Sequence, residues 1–147
     1  MGKNMKPIIW LTGQPGSGKT TLANALSTIY INSTIIDGDD LRTIFGNANY
    51  SKEGRYENIR TAQKIARFLQ SKDHQVIVSL VAPYKELREE LKSTTKVCEV
   101  YLQYNGDRGK NKFLSTEYEP PTENFLHLDT SIKTIEECVD EICSFCR

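Results

Sequence analysis

The chain has 147 residues, with 19 lysines and arginines against 19 aspartates and glutamates. That length predicts one domain, residues 1–147, with a core of its own, and the zero net charge gives no electrostatic basis for binding nucleic acid or an anionic membrane. A small-molecule partner in the cytoplasm is expected instead, because the apolar run near the N-terminus is too short for a signal peptide and no segment approaches a membrane span.

In chain order, Ile8–Leu11 reads as a buried strand and Lys19–Tyr30 as an amphipathic helix. Between them, Gly13-Gln14-Pro15-Gly16-Ser17-Gly18-Lys19-Thr20 fits G-x-x-x-x-G-K-[ST], a loop whose backbone N–H groups surround phosphate oxygens. Lys19 then reaches the β- and γ-phosphates of ATP, and the Thr20 hydroxyl binds Mg²⁺. A second strand, Thr34–Ile36, ends in Asp37-Gly38-Asp39-Asp40, followed by Arg42. A carboxylate here orients an incoming hydroxyl and accepts its proton, while the arginine grips the substrate's own phosphate. The structural alternative is a turn capped by aspartates, since Asp-Gly is a common turn pair. Function is preferred because the phosphate loop is close by and the third strand carries Ser79 but no acid.

A long helix over Ser51–Lys72 has Ser51 as N-cap and a core stripe of Tyr56, Ile59, Ala62, Ile65, Ala66 and Leu69. Arg55 and Asn58 lie off that stripe; spacing alone leaves them as surface residues or as cleft residues. Strands follow at Gln75–Val81, Val97–Leu102 and Phe125–Leu128, with helices at Tyr84–Ser93 and Ile135–Phe145. The alternation predicts an α/β protein of the P-loop NTPase fold, a parallel five-stranded sheet with helices on both faces and ligands beyond the carboxyl ends of the strands. Gln103–Pro121 is the one long irregular stretch and the candidate lid. The last helix opens with a capping box at Thr134 and Glu137, and Ile135, Cys138, Val139, Ile142, Phe145 and Cys146 share one face. The cysteines therefore read as core residues rather than as a metal or redox site, and His74 and His127 as structural.

Taken together, IIWLTGQPGSGKTT, IIDGDDLR, NANYSKEGRYENIR, VIVSLVAPYKELRE, CEVYL and YEPP resemble the adenylyl-sulfate kinases, in order and across about residues 8–130. The resemblance implies ATP and Mg²⁺ as cofactors, phosphorylation of a ribose 3′-hydroxyl, and a homodimer. By position it implies that Gly13 to Thr20 bind the ATP phosphates and that Asp39 is the base or a Mg²⁺-linked acid, with Asp37 the other carboxylate available to the metal. Arg42, Arg55 and Asn58 fall on acceptor contacts, and Tyr50 stands beside the acceptor where the family has phenylalanine.

Two departures stand out. The family's serine-bearing segment reads Val81-Ala82-Pro83-Tyr84 here, so Val81 remains beside the substrate but no hydroxyl is present for a phosphoserine, and transfer is direct and in line. The lid is shortened, with Phe113 as the surviving stacking residue and Arg108, Lys110 and Lys112 as the surviving cations. A shortened lid favours cytidine diphosphoramidate, an intermediate of capsule phosphoramidate synthesis, as acceptor, with adenylyl sulfate as the alternative. Another small-metabolite kinase, or a nucleotide-binding protein without catalysis, accounts for fewer of these residues.

Overall fold

The computed structural model describes residues 5–106, 109 and 114–147. Five strands, β1 (Ile8–Thr12), β2 (Ser33–Asp37), β3 (Gln75–Ser79), β4 (Val97–Gln103) and β5 (Phe125–Asp129), form one parallel sheet in the order β2-β3-β1-β4-β5. The helices are α1 (Lys19–Ile29), α2 (Gly38–Phe45), α3 (Lys52–Ser71), α4 (Lys85–Thr94) and α5 (Ile135–Phe145).

Central β1 explains the two-sided core. All five of its residues are buried, as expected for a strand covered on both faces. Ile8 and Trp10 point into a cluster with Leu41 of α2, Ile59, Ala62 and Ala66 of α3, and Leu87 and Leu91 of α4. Ile9 and Leu11 point the other way, against Leu22, Ala23 and Leu26 of α1 and Cys138, Val139 and Ile142 of α5. The predicted α5 stripe is apolar in the core only along this middle section; Ile135 and Phe145, in its end turns, remain 48% and 40% exposed. The capping box forms, with Glu137 N donating to Thr134 Oγ1 at 3.1 Å and Thr134 N donating to Glu137 Oε1 at 2.9 Å.

Two predicted boundaries are corrected. β3 stops at Ser79 rather than Val81, because the chain breaks away through Ala82, whose φ of 44° lies in the left-handed region. The stretch after β2 is a helix, not simply a turn: Asp37 Oδ1 accepts from the N–H groups of Asp39 at 2.9 Å and Asp40 at 3.3 Å, capping α2. The Asp-Gly pair hid this helix because the same side-chain acceptor serves a turn or an N-cap.

Candidate active site

The phosphate loop leaves the end of β1 and enters α1 through Gly18, whose φ of 103° is open to glycine but strained for other residues. A Cβ on Gly13 would meet the Leu102 carbonyl of the neighbouring strand, so β4 packs against the loop only because that atom is missing. Lys19 Nζ donates to the carbonyls of Gly13 and Gln14, both at 2.9 Å. Burial lowers the Lys19 pKa to about 8, against the opposing pull of the Asp37 and Asp39 carboxylates.

A cleft of about 670 Å³ opens from this loop toward β2 and β3. It is lined by Lys19, Thr20, Asp37, Asp39, Arg42, Tyr50, Arg55 and Asn58, together with Val81, Ala82 and Pro83 from the irregular exit of β3. The structure thus brings together residues from α1, β2, α2 and α3 that the sequence singled out separately. Phe113, the predicted stacking residue, and Arg108, Lys110 and Lys112 lie outside the described residues. A second cleft of about 730 Å³, on the β4 side of the loop, has no Lys, Arg, His, Asp or Glu among its described lining residues.

The cleft side chains are not equally free. Arg42 Nη1 donates to the carbonyls of Asn47 at 3.1 Å and Asn49 at 3.0 Å, and its guanidinium lies 4.0 Å from the exposed Tyr50 ring centroid. Asn58 is 7% exposed, with its amide 3.4 Å from the Gly38 carbonyl, so it joins α3 to the start of α2 as well as facing the cleft. The helix bearing Arg55 comes this close to the preceding loop because Gly54 has no Cβ; one built there would meet the Asn49 carbonyl.

Several positioning contacts escape a reading by local spacing. Gln14 makes reciprocal bonds to Ser115, its Nε2 donating to the carbonyl and its Oε1 accepting from the N–H, each at 2.8 Å. Thr12 Oγ1 donates to the Val81 carbonyl at 2.7 Å and lies 2.9 Å from the Tyr118 hydroxyl. Thr130 Oγ1 donates to the Ser17 carbonyl at 2.7 Å. Buried Arg88 pairs with Glu99 at 2.7 Å and also donates to the Ala82 and Glu119 carbonyls. Glu117 Oε2 accepts from the Tyr84 hydroxyl at 2.7 Å and lies 3.4 Å from Arg55 Nη1. Partners separated by 100 residues or more, as in the Gln14, Thr12 and Thr130 contacts, leave no local signal; Gln14 was legible only as a variable position of the loop motif. The two histidines stand on other partners, His74 beside Thr34 and His127 beside Gln103.

The donors facing this cleft suit Mg²⁺, a hard ion that takes few protein ligands and completes its shell with phosphate and water oxygens. Thr20 supplies a hydroxyl, and Asp37 keeps Oδ2 beyond the oxygen used to cap α2. Among the described residues no group of three or more His, Cys, Asp or Glu is placed to hold a metal by itself. No helix among the described residues is long and apolar enough to cross a membrane.

Comparison with known proteins agrees with this architecture. The family model described as adenylylsulphate kinase matches residues 5–113. An adenylyl-sulfate kinase of Prochlorococcus marinus is 31% identical over 163 residues, covering 93% of this chain and 81% of the relative. A cytidine diphosphoramidate kinase of Campylobacter jejuni is 38% identical over 109 residues, covering 69% of this chain and 62% of the relative. The solved Mycobacterium tuberculosis APS kinase in complex with AMPPNP and APS matches with a TM-score of 0.81 at 22% identity, over 97% of this chain and 98% of that one, a likeness of fold. The chain is an ATP-dependent kinase that transfers phosphate to a hydroxyl, and it belongs to the adenylyl-sulfate kinase family.

Proposed function

We propose that this kinase phosphorylates the ribose 3′-hydroxyl of a nucleotide carrying a 5′ anhydride. The observation that carries the reading is the single cleft in which Lys19 and Thr20 of the phosphate loop face Asp39, Arg42 and Arg55. Adenylyl sulfate is the better-supported acceptor, because relatives named for it match over more than nine-tenths of the chain. The order of preference drawn from the short lid is therefore reversed. Cytidine diphosphoramidate stands as the second reading, favoured by the higher identity to the kinase named for it, 38% against 31%, over a shorter stretch.

In this reading Lys19 leaves the Gly13 and Gln14 carbonyls for the β- and γ-phosphates of ATP, whose oxygens are stronger acceptors. Bound Mg²⁺, held by Thr20 and Asp37, would add positive charge at the phosphate oxygens. Asp39 accepts the 3′-hydroxyl proton while the 3′-oxygen forms its bond to the γ-phosphorus and the bond to the β-phosphate oxygen breaks, releasing ADP. Arg42, Arg55 and Asn58 bind the acceptor, and Tyr50 lies against its base or ribose. Ala82 brings no hydroxyl, so transfer is direct and in line, with positioning and charge stabilisation acting beside the proton transfer to Asp39. Family membership further leads us to propose a cytoplasmic homodimer.

Incubation with ATP, Mg²⁺ and either acceptor, with the product identified by mass spectrometry and the phosphorylated carbon by NMR, tests the reading. A 3′-phosphorylated nucleotide is expected. ATP binding without phosphorylation of either nucleotide would overturn it.

A further inference from the structure

Arg55 and Glu117, 62 residues apart in the chain, meet beside the cleft that holds Lys19 and Asp39. Glu117 Oε2 lies 3.4 Å from Arg55 Nη1 and also accepts from the Tyr84 hydroxyl at 2.7 Å. Tyr84 is buried, so it fixes this carboxylate, while half of the Glu117 side chain stays open to solvent. Arg42, the other arginine among the described residues lining the cleft, already spends Nη1 on two backbone carbonyls and its face on Tyr50. In the proposed reaction the 3′-hydroxyl sits at Asp39, and the 5′ anhydride extends to the cationic wall. Its terminal group then meets Arg55, and with it Glu117.

A carboxylate is a pure hydrogen-bond acceptor. A terminal sulfate or phosphate faces it with oxygen lone pairs, whereas an amide on phosphorus presents N–H groups. We propose that Glu117 is a specificity-determining residue, selecting acceptors whose 5′ anhydride ends in a hydrogen-bond donor, a phosphoramidate, over acceptors of the same base that end only in oxygen. This inference rests on the nucleotide 3′-kinase reading and favours its second acceptor. The arginines read the anionic oxygens common to all these acceptors; Glu117 reads the atom that differs, and a mismatched acceptor sets oxygen lone pairs against the carboxylate.

The test uses two pairs of acceptors matched in base, so that the nucleobase cancels: cytidine diphosphoramidate against CDP, and adenosine diphosphoramidate against adenylyl sulfate. Steady-state kcat/KM is measured for the whole protein, wild type and Glu117→Gln, at saturating ATP and Mg²⁺. Wild type should prefer the phosphoramidate of each pair by about tenfold to a hundredfold, the range of one charged hydrogen bond. Glu117→Gln, which has the same shape but also donates, should reduce that preference by about tenfold or more while leaving the KM for ATP unchanged. If Glu117 serves only to hold Tyr84 and Arg55, all four values fall together and the ratios stay constant, which overturns the assignment. A wild-type preference for the oxygen-ended member of both pairs overturns it as well. Wild type inactive on all four acceptors would instead bring down the kinase reading itself, and the inference with it.

Discussion

Arg88 of α4 and Glu99 of β4 pair at 2.7 Å with almost no solvent contact, and the same guanidinium holds the carbonyls of Ala82 and Glu119. Lys92 reaches the other Glu99 oxygen at 2.7 Å. One buried carboxylate thereby fixes the arginine that ties the exit of β3, which lines the cleft, to the segment that returns to β5. Removing one member of a buried pair leaves the other charged and unsolvated, a loss of about 3–5 kcal/mol. Glu99→Ala should lower the urea-unfolding free energy by that amount. A loss below about 1 kcal/mol would mean that the pair is replaced by water at little cost.

Lys19→Ala should abolish phosphoryl transfer without lowering stability. In the folded protein Lys19 releases its proton at about 8, while an ordinary lysine holds it to 10.5. Between those values the unfolded chain binds more protons, so this residue makes stability rise with pH from 8 to 10.5 and opposes folding below 8. Removing the side chain removes that opposition. At pH 7 the melting temperature should equal or exceed that of wild type; a clear drop, or retained turnover, would refute the role.

The same depressed pKa links ATP binding to protons. Phosphate oxygens favour the ammonium form, so nucleotide binding raises the Lys19 pKa, and above pH 8 the complex takes up a proton that the free protein lacks. Affinity for ATP should weaken as pH rises past 8, by up to about tenfold per unit. Calorimetry at pH 9 in buffers of different ionisation enthalpy should report the uptake. Proton release, or a flat affinity from pH 7 to 10, would contradict it.

The two cleft carboxylates should separate by phenotype. Asp37 caps α2, so Asp37→Asn, which keeps an acceptor oxygen, should change stability little, whereas Asp37→Ala should cost about 1 kcal/mol. Asp39 makes no capping bond through its side chain, and Asp39→Asn should leave stability near wild type while reducing turnover by at least about a hundredfold. Equal turnover in Asp39→Asn and wild type would transfer the proton-accepting role elsewhere.

Gln14→Ala removes both hydrogen bonds to Ser115 at once. Because Ser115 also lines the cleft that holds Lys19 and Asp39, the variant should raise the acceptor KM several-fold and speed proteolytic cleavage near residues 114–121, with the melting temperature almost unchanged. Cleavage at the wild-type rate would show that the return segment is held by its other contacts, such as Thr12 with Tyr118.

Local sequence determined the sheet and the helices other than α2, because each depends on periodicity within one short window. Ile8–Leu11 is apolar on both faces, the α3 stripe repeats at helical spacing, and Thr134 with Glu137 closes a cap within four residues. The phosphate loop was legible for the same reason: its chemistry uses consecutive backbone groups and adjacent side chains. Tertiary structure decided which of the locally possible contacts form and which distant residues meet. It showed Asp37 spending one oxygen on a helix cap, Arg42 already committed to Asn47, Asn49 and Tyr50, and Asn58 joining α3 to α2. It also brought Gln14 to Ser115, Arg88 to Glu119 and Arg55 to Glu117. Each of these contacts is made by folding the return segment over the ends of the strands, and their partners are too distant in sequence for any local pattern to pair them.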